Sequence, residues 1–524
     1  MINTLLLISI LSMIFAAAAM VLVRIARPSF GYSWLIAAFG ASVAWLLLLP
    51  VGSNLPIQLT LAVWEPTELL SASLGFLVDH ISWSYGLALA GLVLAVIFTD
   101  VLRAVEADWS AWAGSLTLGA LGLVAVFAGN PVTLMMAWAA IDSAEMLILL
   151  WHIKPSAIRE KVIASFSSRV GGIFLVLIGE IFTQASGQVL DFTTINDTAR
   201  IYLVLACGLR LGVVPLHIPF LQEPPLRRSL GTTLRLVPVA SSLVLLTRTA
   251  SAASPPLSWG LLTTLSVFAA LFGAFSWALA KDELDGRPYW IIGVVSVALF
   301  SALRGEEIVS LSWGIAALLT GGLLFISSAR HRYLLPLTGL GLIGILPVPF
   351  TPGWAGFGLY SPPYSLSLGV ILVSQSLLVI GYLSHLLRSG PSLAGIERWV
   401  WGIYPIGLVV LLISYSVITS RGLIDGIQPV GAQLASILVA GGLFIAFCMI
   451  WVYISRRGFG VPGWILLMIR KALSLGWMYR FLWSMFHYFR RSVATLTFVL
   501  EGQGGILWTL LLVILILAFL TQRG

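Results

Sequence analysis

Charged side chains inside long apolar segments are the residues of this sequence best placed to do chemistry. Asp142 and Glu145 occupy one such segment, and Arg169, Arg210 and Arg235 occupy the three that follow. A charge in hydrocarbon costs at least about 2.5–3.5 kcal/mol on insertion scales, so each needs a partner or a function. Asp142 and Glu145 are three residues apart and share one helical face. Acids and bases on neighbouring helices form either a structural ion pair or a proton relay, and the residues alone leave both open.

Two further features of the same region concern the depth of its charges and the continuity of its helices. Glu180 lies three residues from the end of its apolar segment, where a carboxylate is expected to reach the membrane surface. Prolines inside or beside the next segments free backbone carbonyls, and interrupted helices recur at ion sites within membranes. These prolines are at positions 215, 219, 224, 225 and 238.

The apolar segments themselves dominate the sequence. Hydrophobic residues make up 59% of the 524 and charged residues 10%, whereas a soluble domain carries roughly 25% charged residues. A helix of about 20 residues crosses a hydrocarbon core of about 30 Å. The sequence therefore predicts an all-α polytopic membrane protein with about 16 transmembrane helices. We expect these spans near 2–23, 32–51, 81–99, 109–128, 131–151, 162–183, 199–216, 230–247, 257–280, 289–303, 308–327, 333–349, 365–387, 399–419, 432–454 and 504–520.

Loop composition predicts the topology. Most Lys and Arg residues fall in alternate loops, which places the N-terminus and the C-terminus on the outer side. Residues 56–64 alternate apolar and polar side chains and predict a short extracellular strand or hairpin. Residues 461–500 mix Trp, Tyr and Phe with Arg and Lys, which favours an amphipathic helix along the cytoplasmic interface over a solvated basic loop.

Soluble enzyme signatures are missing from the sequence. It has no P-loop, dinucleotide fingerprint, metal-ligand cluster or nucleophile elbow. Cys207 and Cys448 give neither a disulfide framework nor metal spacing. We expect no cofactor and no catalytic redox site in this chain. The net charge of +8 is explained by the basic loops, so no nucleic-acid partner is expected.

Short motifs between residues 70 and 390 follow one another in a known order. SSRVGGIFLVLIG (167–179) is similar to an Asn-Arg-Val-Gly-Asp motif, with Gly172 in place of the aspartate. GLRLGVVPLHIPFLQEPP (208–225) is similar to a segment in which Arg210 stands at a lysine and His217 is retained. FLVDHIS (76–82), SGQVLDFTTI (186–195) and GAFSWALAKDELDGRPYW (273–290) match in part. Together they resemble the antiporter-like subunits of respiratory complex I, NADH–quinone oxidoreductase, most closely the subunit L branch and its relatives in multisubunit cation/proton antiporters.

The resemblance implies a domain organisation with two inverted five-helix repeats and broken helices. Residues 1–105 would hold the N-terminal helices and the extracellular hairpin, and residues 106–250 the first antiporter-like repeat. Residues 251–455 would hold the second repeat and extra helices. Residues 456–524 would form an amphipathic lateral helix and the last transmembrane helix.

The resemblance also implies a function. The chain would be a membrane subunit of a complex I-like NADH/quinone oxidoreductase and take part in proton or cation translocation. Its partners would be other membrane subunits, the lipid bilayer and a quinone at a neighbouring subunit. The membrane would be the bacterial inner membrane or an equivalent energy-transducing membrane. The ion path would run through Asp142, Glu145, Arg169, Arg210, His217, Arg235 and Asp282.

Several of these residues have specific roles by the same resemblance. Asp142 would replace the fifth-helix carboxylate, because Trp138 is followed by Ala139 where the family has glutamate. Arg210 would be its cationic partner or a fixed gate against ion leakage. Arg169 and Arg235 would stabilise the polar axis, and Asp282 would connect that axis to the cytoplasmic side.

Departures from the family pattern support an alternative function. An arginine does not release a proton readily, so a lysine-switched relay would have lost its switch at Arg210. The eighth-helix histidine or lysine has no counterpart, and the twelfth helix offers only Gln375, Tyr382 and His385. The alternative is a non-pumping structural or partner subunit of a related complex, such as an inorganic-carbon uptake complex or a multisubunit antiporter. A free-standing antiporter is disfavoured because the tail indicates neighbours.

Overall fold

The computed structural model of the chain forms two compact units, Met1–Gly460 and Val461–Gly524. In the first unit it describes all residues except 1, 63–73, 104–108, 153–155, 194, 215–227, 251–259, 330, 332, 389–396, 424–431 and 457–460. In the second unit it describes 508–515 and scattered positions between 464 and 495.

The first unit is built from helices. They are α1 Ile2–Ala26, α2 Ser33–Val51, α3 His80–Asp100, α4 Trp109–Val126, α5 Pro131–His152, α6 Ser156–Ala185, α7 Asp197–Arg210, α8 Arg228–Ala250, α9 Gly260–Ala278, α10 Glu283–Leu303, α11 Glu307–Ile326, α12 Leu335–Leu340, α13 Pro352–Gly356, α14 Leu366–Leu386, α15 Arg398–Gly422 and α16 Ala432–Arg456. Helices α3, α8, α10 and α11 are almost entirely buried and form its centre. Helices α1, α2, α6 and α15 leave half or more of their residues unburied and lie at the periphery.

The apolar helices confirm an all-α polytopic membrane protein. Among the described residues, 12 helices are long and apolar enough to cross a membrane. The predicted number of about 16 spans is not confirmed, and the inverted repeats stay a prediction. The predicted twelfth span (333–349) is not one helix: α12 is followed by a 3-10 turn at Gly341–Gly344. Glycines and prolines interrupt the helical hydrogen bonds there.

Side-chain caps set where several helices begin. Asp79 caps α3: its Oδ1 accepts from the Ser82 backbone N–H at 2.7 Å, and Ser82 Oγ accepts in return from the Asp79 N–H at 2.9 Å. Asn196 caps α7 by accepting from the Ala199 N–H. Each cap satisfies backbone donors that the first helical turn leaves unpaired.

A two-stranded antiparallel hairpin precedes α3, as the sequence predicts for residues 56–64. Strand β1 (Ile57–Ala62) pairs with β2 (Leu74–Val78), with an irregularity between Thr60 and Ala62. The Leu77 N–H donates to the Phe127 carbonyl at 2.8 Å, which fixes the hairpin to the end of α4. The hairpin thereby joins one end of the helix bundle.

Ion pairs at helix ends show that α8 runs antiparallel to α3 and parallel to α10. At one end of the bundle, Arg248 at the end of α8 pairs with Asp79 at the start of α3, at 3.1 Å. At the opposite end, Arg228 at the start of α8 pairs with Glu283 at the start of α10, at 2.8 Å. These directions agree with the order of the predicted spans, in which consecutive helices along the chain cross in opposite directions.

The second unit is helical at every described position. Phe481, Met485 and Tyr488 are spaced by four and three residues and share one helical face. The adjacent face carries Arg480 and Arg491, together with Ser484 and His487. The predicted lateral helix at 461–500 includes many positions outside the described residues, and its place at the membrane interface stays a prediction.

Candidate functional site

Four charged side chains meet where helices α5, α6 and α7 pack together. Asp142 and Glu145 lie on α5, Arg169 on α6 and Arg210 at the end of α7. Their relative exposures are 2%, 6%, 7% and 5% in that order. We call these four residues the charge tetrad. The tetrad brings together the carboxylates and two of the arginines that the sequence analysis selected.

Arg210 forms a bidentate ion pair with Asp142. Arg210 Nη1 donates to Asp142 Oδ2 at 2.6 Å, and Nη2 donates to Oδ1 at 2.8 Å. The guanidinium carbon lies 4.2 Å from the centroid of the Trp138 ring. Trp138 is itself held by a 3.1 Å hydrogen bond from its Nε1 to Ser241 on α8. Bidentate pairing and stacking on an aromatic face are interactions that a lysine does not reproduce.

Arg169 lies between the two carboxylates. Its Nη1 donates to Glu145 Oε2 and lies 3.7 Å from Asp142 Oδ1. The Arg169 carbonyl also accepts a 3.2 Å hydrogen bond from Arg210 Nη1. Two carboxylates and two guanidinium groups balance in charge, which is the condition under which buried ions are tolerated.

Gly172 makes room for the arginine of the tetrad. A Cβ atom at Gly172 would lie 2.7 Å from Arg210 Cγ and 3.0 Å from Cδ. This is the position where the family motif carries an aspartate. The two departures from the motif, glycine on α6 and arginine on α7, are therefore in direct contact and fit each other sterically.

A small cavity of about 10 Å³ adjoins the tetrad. Its lining includes Asp142, Glu145 and Arg169, with Ser165 from the start of the α6 span. This volume is close to the least space that accommodates one water molecule, and polar groups line it. The cavity could therefore hold a water within reach of Glu145.

The other predicted path residues have separate places. Arg235 is buried on α8, at 7% exposure, and α8 contacts both α5 and α7. Asp282 caps α10, where its Oδ1 accepts from the Leu284 and Asp285 N–H groups at 2.9 and 2.7 Å. His217 and the prolines at 215–225 lie outside the described residues, whereas Pro238 lies within α8.

The structure contains buried charges that sequence reasoning missed. Glu180 is fully buried, so the expectation that it reaches the membrane surface is wrong. Helix α6 continues to Ala185, which places Glu180 more than a turn inside the helix. Glu283, beside Asp282, forms an ion pair with Arg228, and Arg287 donates to Thr232 at 2.9 Å. The signal for that cluster was the acidic run at the start of α10, in a segment that the sequence analysis placed in a loop.

The second half of the bundle is polar in two further places. Tyr360 donates to Gln375 Oε1 at 2.7 Å, and His385 Nε2 lies 3.1 Å from the Trp277 carbonyl. Neither contact involves a lysine or a carboxylate. Among the described residues, no group of three or more His, Cys, Asp or Glu side chains could hold a metal ion.

Comparisons with known proteins give a fold. No family model and no curated protein matches the sequence. A chain in the structure of the membrane-bound sulfane sulfur reductase (MBS), an archaeal respiratory membrane complex, superposes with a TM-score of 0.72 at 16% identity, covering 98% of this chain and 99% of that one. A chain in the Mrp complex from Dietzia sp. DQ12-45-1b superposes with a TM-score of 0.69 at 14% identity.

That second match covers 98% of this chain and 62% of the Mrp chain. Both matches extend over nearly the whole sequence, whereas the motifs that carry the resemblance lie between residues 70 and 390. The predicted resemblance to the antiporter-like subunits of complex I is therefore confirmed in the fold: this chain is a multi-pass membrane protein with the fold of chains in these two membrane complexes.

Proposed function

We propose that this chain is an antiporter-like membrane subunit in which the charge tetrad takes part in proton translocation. The observation that carries the proposal is the position of Arg169, bonded to Glu145 and 3.7 Å from Asp142. One cation can thus neutralise either carboxylate. Because the arginines keep their charge, any proton that enters the tetrad binds a carboxylate.

The step that we propose is an exchange of partners. A proton delivered through the adjoining cavity neutralises Glu145 and releases Arg169. A displacement of about 1 Å brings Arg169 to bonding distance of Asp142, since charge-assisted hydrogen bonds are about 2.7–2.9 Å long. Asp142 then shares its charge between Arg169 and Arg210. The altered field would act on Arg235 and, through α8, on the second half of the bundle.

We further propose the assembly in which this happens. Both structural neighbours are chains of membrane complexes, one of them described as respiratory, which supports partner membrane subunits here. Following the motif resemblance, a complex I-like NADH/quinone oxidoreductase would supply the driving reaction, with quinone bound by another subunit. The membrane would be the bacterial inner membrane or its equivalent, with both termini on the outer side.

The test is proton pumping by the complex reconstituted in liposomes. Glu145→Gln and Asp142→Asn should each abolish pumping while electron transfer continues. Arg210→Lys, which keeps one positive charge, should retain part of it. The matched control is Glu397→Gln, because Glu397 is exposed at the start of α15. Normal pumping in both tetrad variants would contradict the proposal.

A second candidate function is favoured by one observation. None of the 12 described spans, of which the one in α6 begins at Ser165, contains a lysine. Both cations of the tetrad are arginines in close ion pairs. A structural or partner subunit, as in an inorganic-carbon uptake complex, would use these ion pairs to hold its helices together and would need no proton relay. Normal activity and pumping in the tetrad variants, with a less stable complex, would support this candidate. Adjacent genes would identify the type of complex.

A further inference from the structure

Glu180 is a buried acid that the charge tetrad does not use. It lies on α6 with none of its surface exposed. Within the described part of the chain, neither carboxyl oxygen has a hydrogen-bond partner. A carboxylate in this state loses its hydration with no hydrogen bond to replace it, which strongly disfavours the charged form. The neutral acid avoids most of the resulting free-energy cost.

Among the described residues of the two helices packed against α6, none provides a counter-charge for Glu180. Helix α6 packs against α5 and α7. The facing half of α5, residues 131–141, contains no charged side chain. At the near end of α7, Asp197 is exposed and Arg200 is buried, and Arg200 is engaged by another contact. No ion pair joins Glu180 to a described residue of either helix.

Glu180 also shares a helical face with the tetrad. Arg169, Gly172, Val176, Glu180 and Thr183 are the buried positions of one stripe along α6, spaced by three or four residues. Glu180 follows Arg169 by eleven residues, which is about 16 Å along the helix axis. The two sites therefore lie at different depths on the same buried face.

We propose that Glu180 is a protonated carboxyl group that stores a proton on the far side of the tetrad from Glu145. The carboxylate takes up one proton and becomes the neutral acid, and it releases that proton when it is hydrated from its own end of α6. Since Glu180 would receive protons that have passed the tetrad, its part in transport rests on the proposed function. The protonation of Glu180 in the resting protein does not depend on the proposed function.

Infrared spectroscopy tests the protonation directly. The purified complex should show a protonated-carboxyl C=O stretch at neutral pH that shifts in D2O. Glu180→Gln should remove one such band and Glu397→Gln should remove none. Glu180→Asp, which keeps the acid on a shorter side chain, should move the band rather than remove it, and serves if the glutamine variant does not assemble. A band that survives Glu180→Gln, or that sodium ions remove, would overturn the proposal.

Pumping assays separate this inference from the proposed function. If both hold, Glu180→Gln also loses pumping, and so do the tetrad variants. If the band is assigned to Glu180 but the tetrad variants pump normally, the stored proton stands and the translocation function fails. If the tetrad variants lose pumping and no band depends on residue 180, the translocation function stands and the stored proton fails.

Discussion

At the scale of single residues, the presence of arginine rather than lysine at position 210 determines what the tetrad can do. A lysine changes its charge when its surroundings change, whereas an arginine in a protein stays protonated. Within the tetrad, only the carboxylates of Asp142 and Glu145 can accept a proton. Two interactions suit Arg210 to the role of a fixed gate. It forms a bidentate ion pair with Asp142 and stacks over the Trp138 ring.

A double-mutant cycle should measure the coupling energy between Asp142 and Arg210. Asp142→Asn or Arg210→Met alone leaves a buried charge without its partner, and we expect each to cost about 3–5 kcal/mol of stability. The double variant removes both charges and should cost less than the sum, with a coupling energy of about 0.5–3 kcal/mol. Unfolding in detergent, followed by helical circular dichroism, gives the three values. Strictly additive effects would contradict a direct ion pair.

The contact between Gly172 and Arg210 predicts a second stability effect. Gly172→Ala would place a Cβ atom 2.7 Å from the Arg210 stem, whose far end is bound to Asp142 and has little freedom to move. We expect a net loss of about 1–3 kcal/mol from overpacking.

The matched control for that variant is Gly402→Ala on α15, where nothing lies within 4 Å of the added Cβ. There the better helix propensity of alanine should stabilise the protein by about 0.5–1 kcal/mol. Equal effects of the two substitutions in the same unfolding assay would show that Gly172 has no special packing role.

The sequence predicted the members of the tetrad better than it predicted the depth of Glu180. Asp142, Glu145, Arg169 and Arg210 stood out because charges in apolar segments are costly, and the structure brings all four together. Glu180 was placed at the surface because its distance from the segment end was counted from residue 183. Gln184 and Ala185 continue the helix beyond that position, and hydropathy does not detect this extension.

At the scale of helices, apolar length predicted most elements, while local hydrogen bonding set their ends. Helix α10 begins at Glu283 rather than near 289 because Asp282 caps it. The predicted span at 333–349 instead contains α12 and a 3-10 turn. Its apolar composition satisfies a hydropathy window, although its glycines and prolines do not sustain one continuous helix. The ends and breaks of helices therefore require backbone chemistry that hydropathy ignores.

The cap of α3 predicts a pH dependence. Burial raises the pKa of Asp79, but the charge of Arg248 and the hydrogen bonds from Ser82 outweigh it and hold that pKa below the ordinary value. A depressed folded-state pKa adds stability above the unfolded-state pKa, and this stability is lost as pH falls through the folded-state value. The Asp79 contribution should therefore be complete at neutral pH and disappear in acid.

Two substitutions separate the charge of Asp79 from its cap. Asp79→Asn keeps an acceptor for the Ser82 N–H but loses the charge, so it should flatten the part of the stability–pH curve between about pH 5 and pH 2. Asp79→Ala loses the cap as well and should cost about 1 kcal/mol more at neutral pH. Thermal unfolding across this pH range provides the measurement. Identical pH profiles for wild type and Asp79→Asn would exclude the Arg248 pair as a source of stability.

At the scale of the whole molecule, the chain separates into a multi-helix bundle and a C-terminal unit of different character. The bundle has a buried centre formed by α3, α8, α10 and α11. In the second unit, the described apolar side chains Phe481, Met485 and Tyr488 are all exposed. An exposed apolar face beside a basic face is typical of helices that lie on a membrane or bind a partner. We therefore expect this face to contact partner subunits.

Removal of the second unit should consequently affect assembly more than folding. A chain that ends at residue 460 keeps the compact unit Met1–Gly460 with its tetrad. We expect its thermal midpoint in detergent to stay within about 2 °C of the full chain, because a loss of about 1 kcal/mol shifts the midpoint little in a unit of this size. Its recovery with partner subunits on affinity purification should fall sharply.

A second variant replaces only Phe481, Met485 and Tyr488 by serine in the full chain, which removes the apolar face and keeps the length. Both variants should lose the partners because the apolar face supplies the contact. Normal recovery of the intact complex with either variant would show that this face does not hold the assembly together.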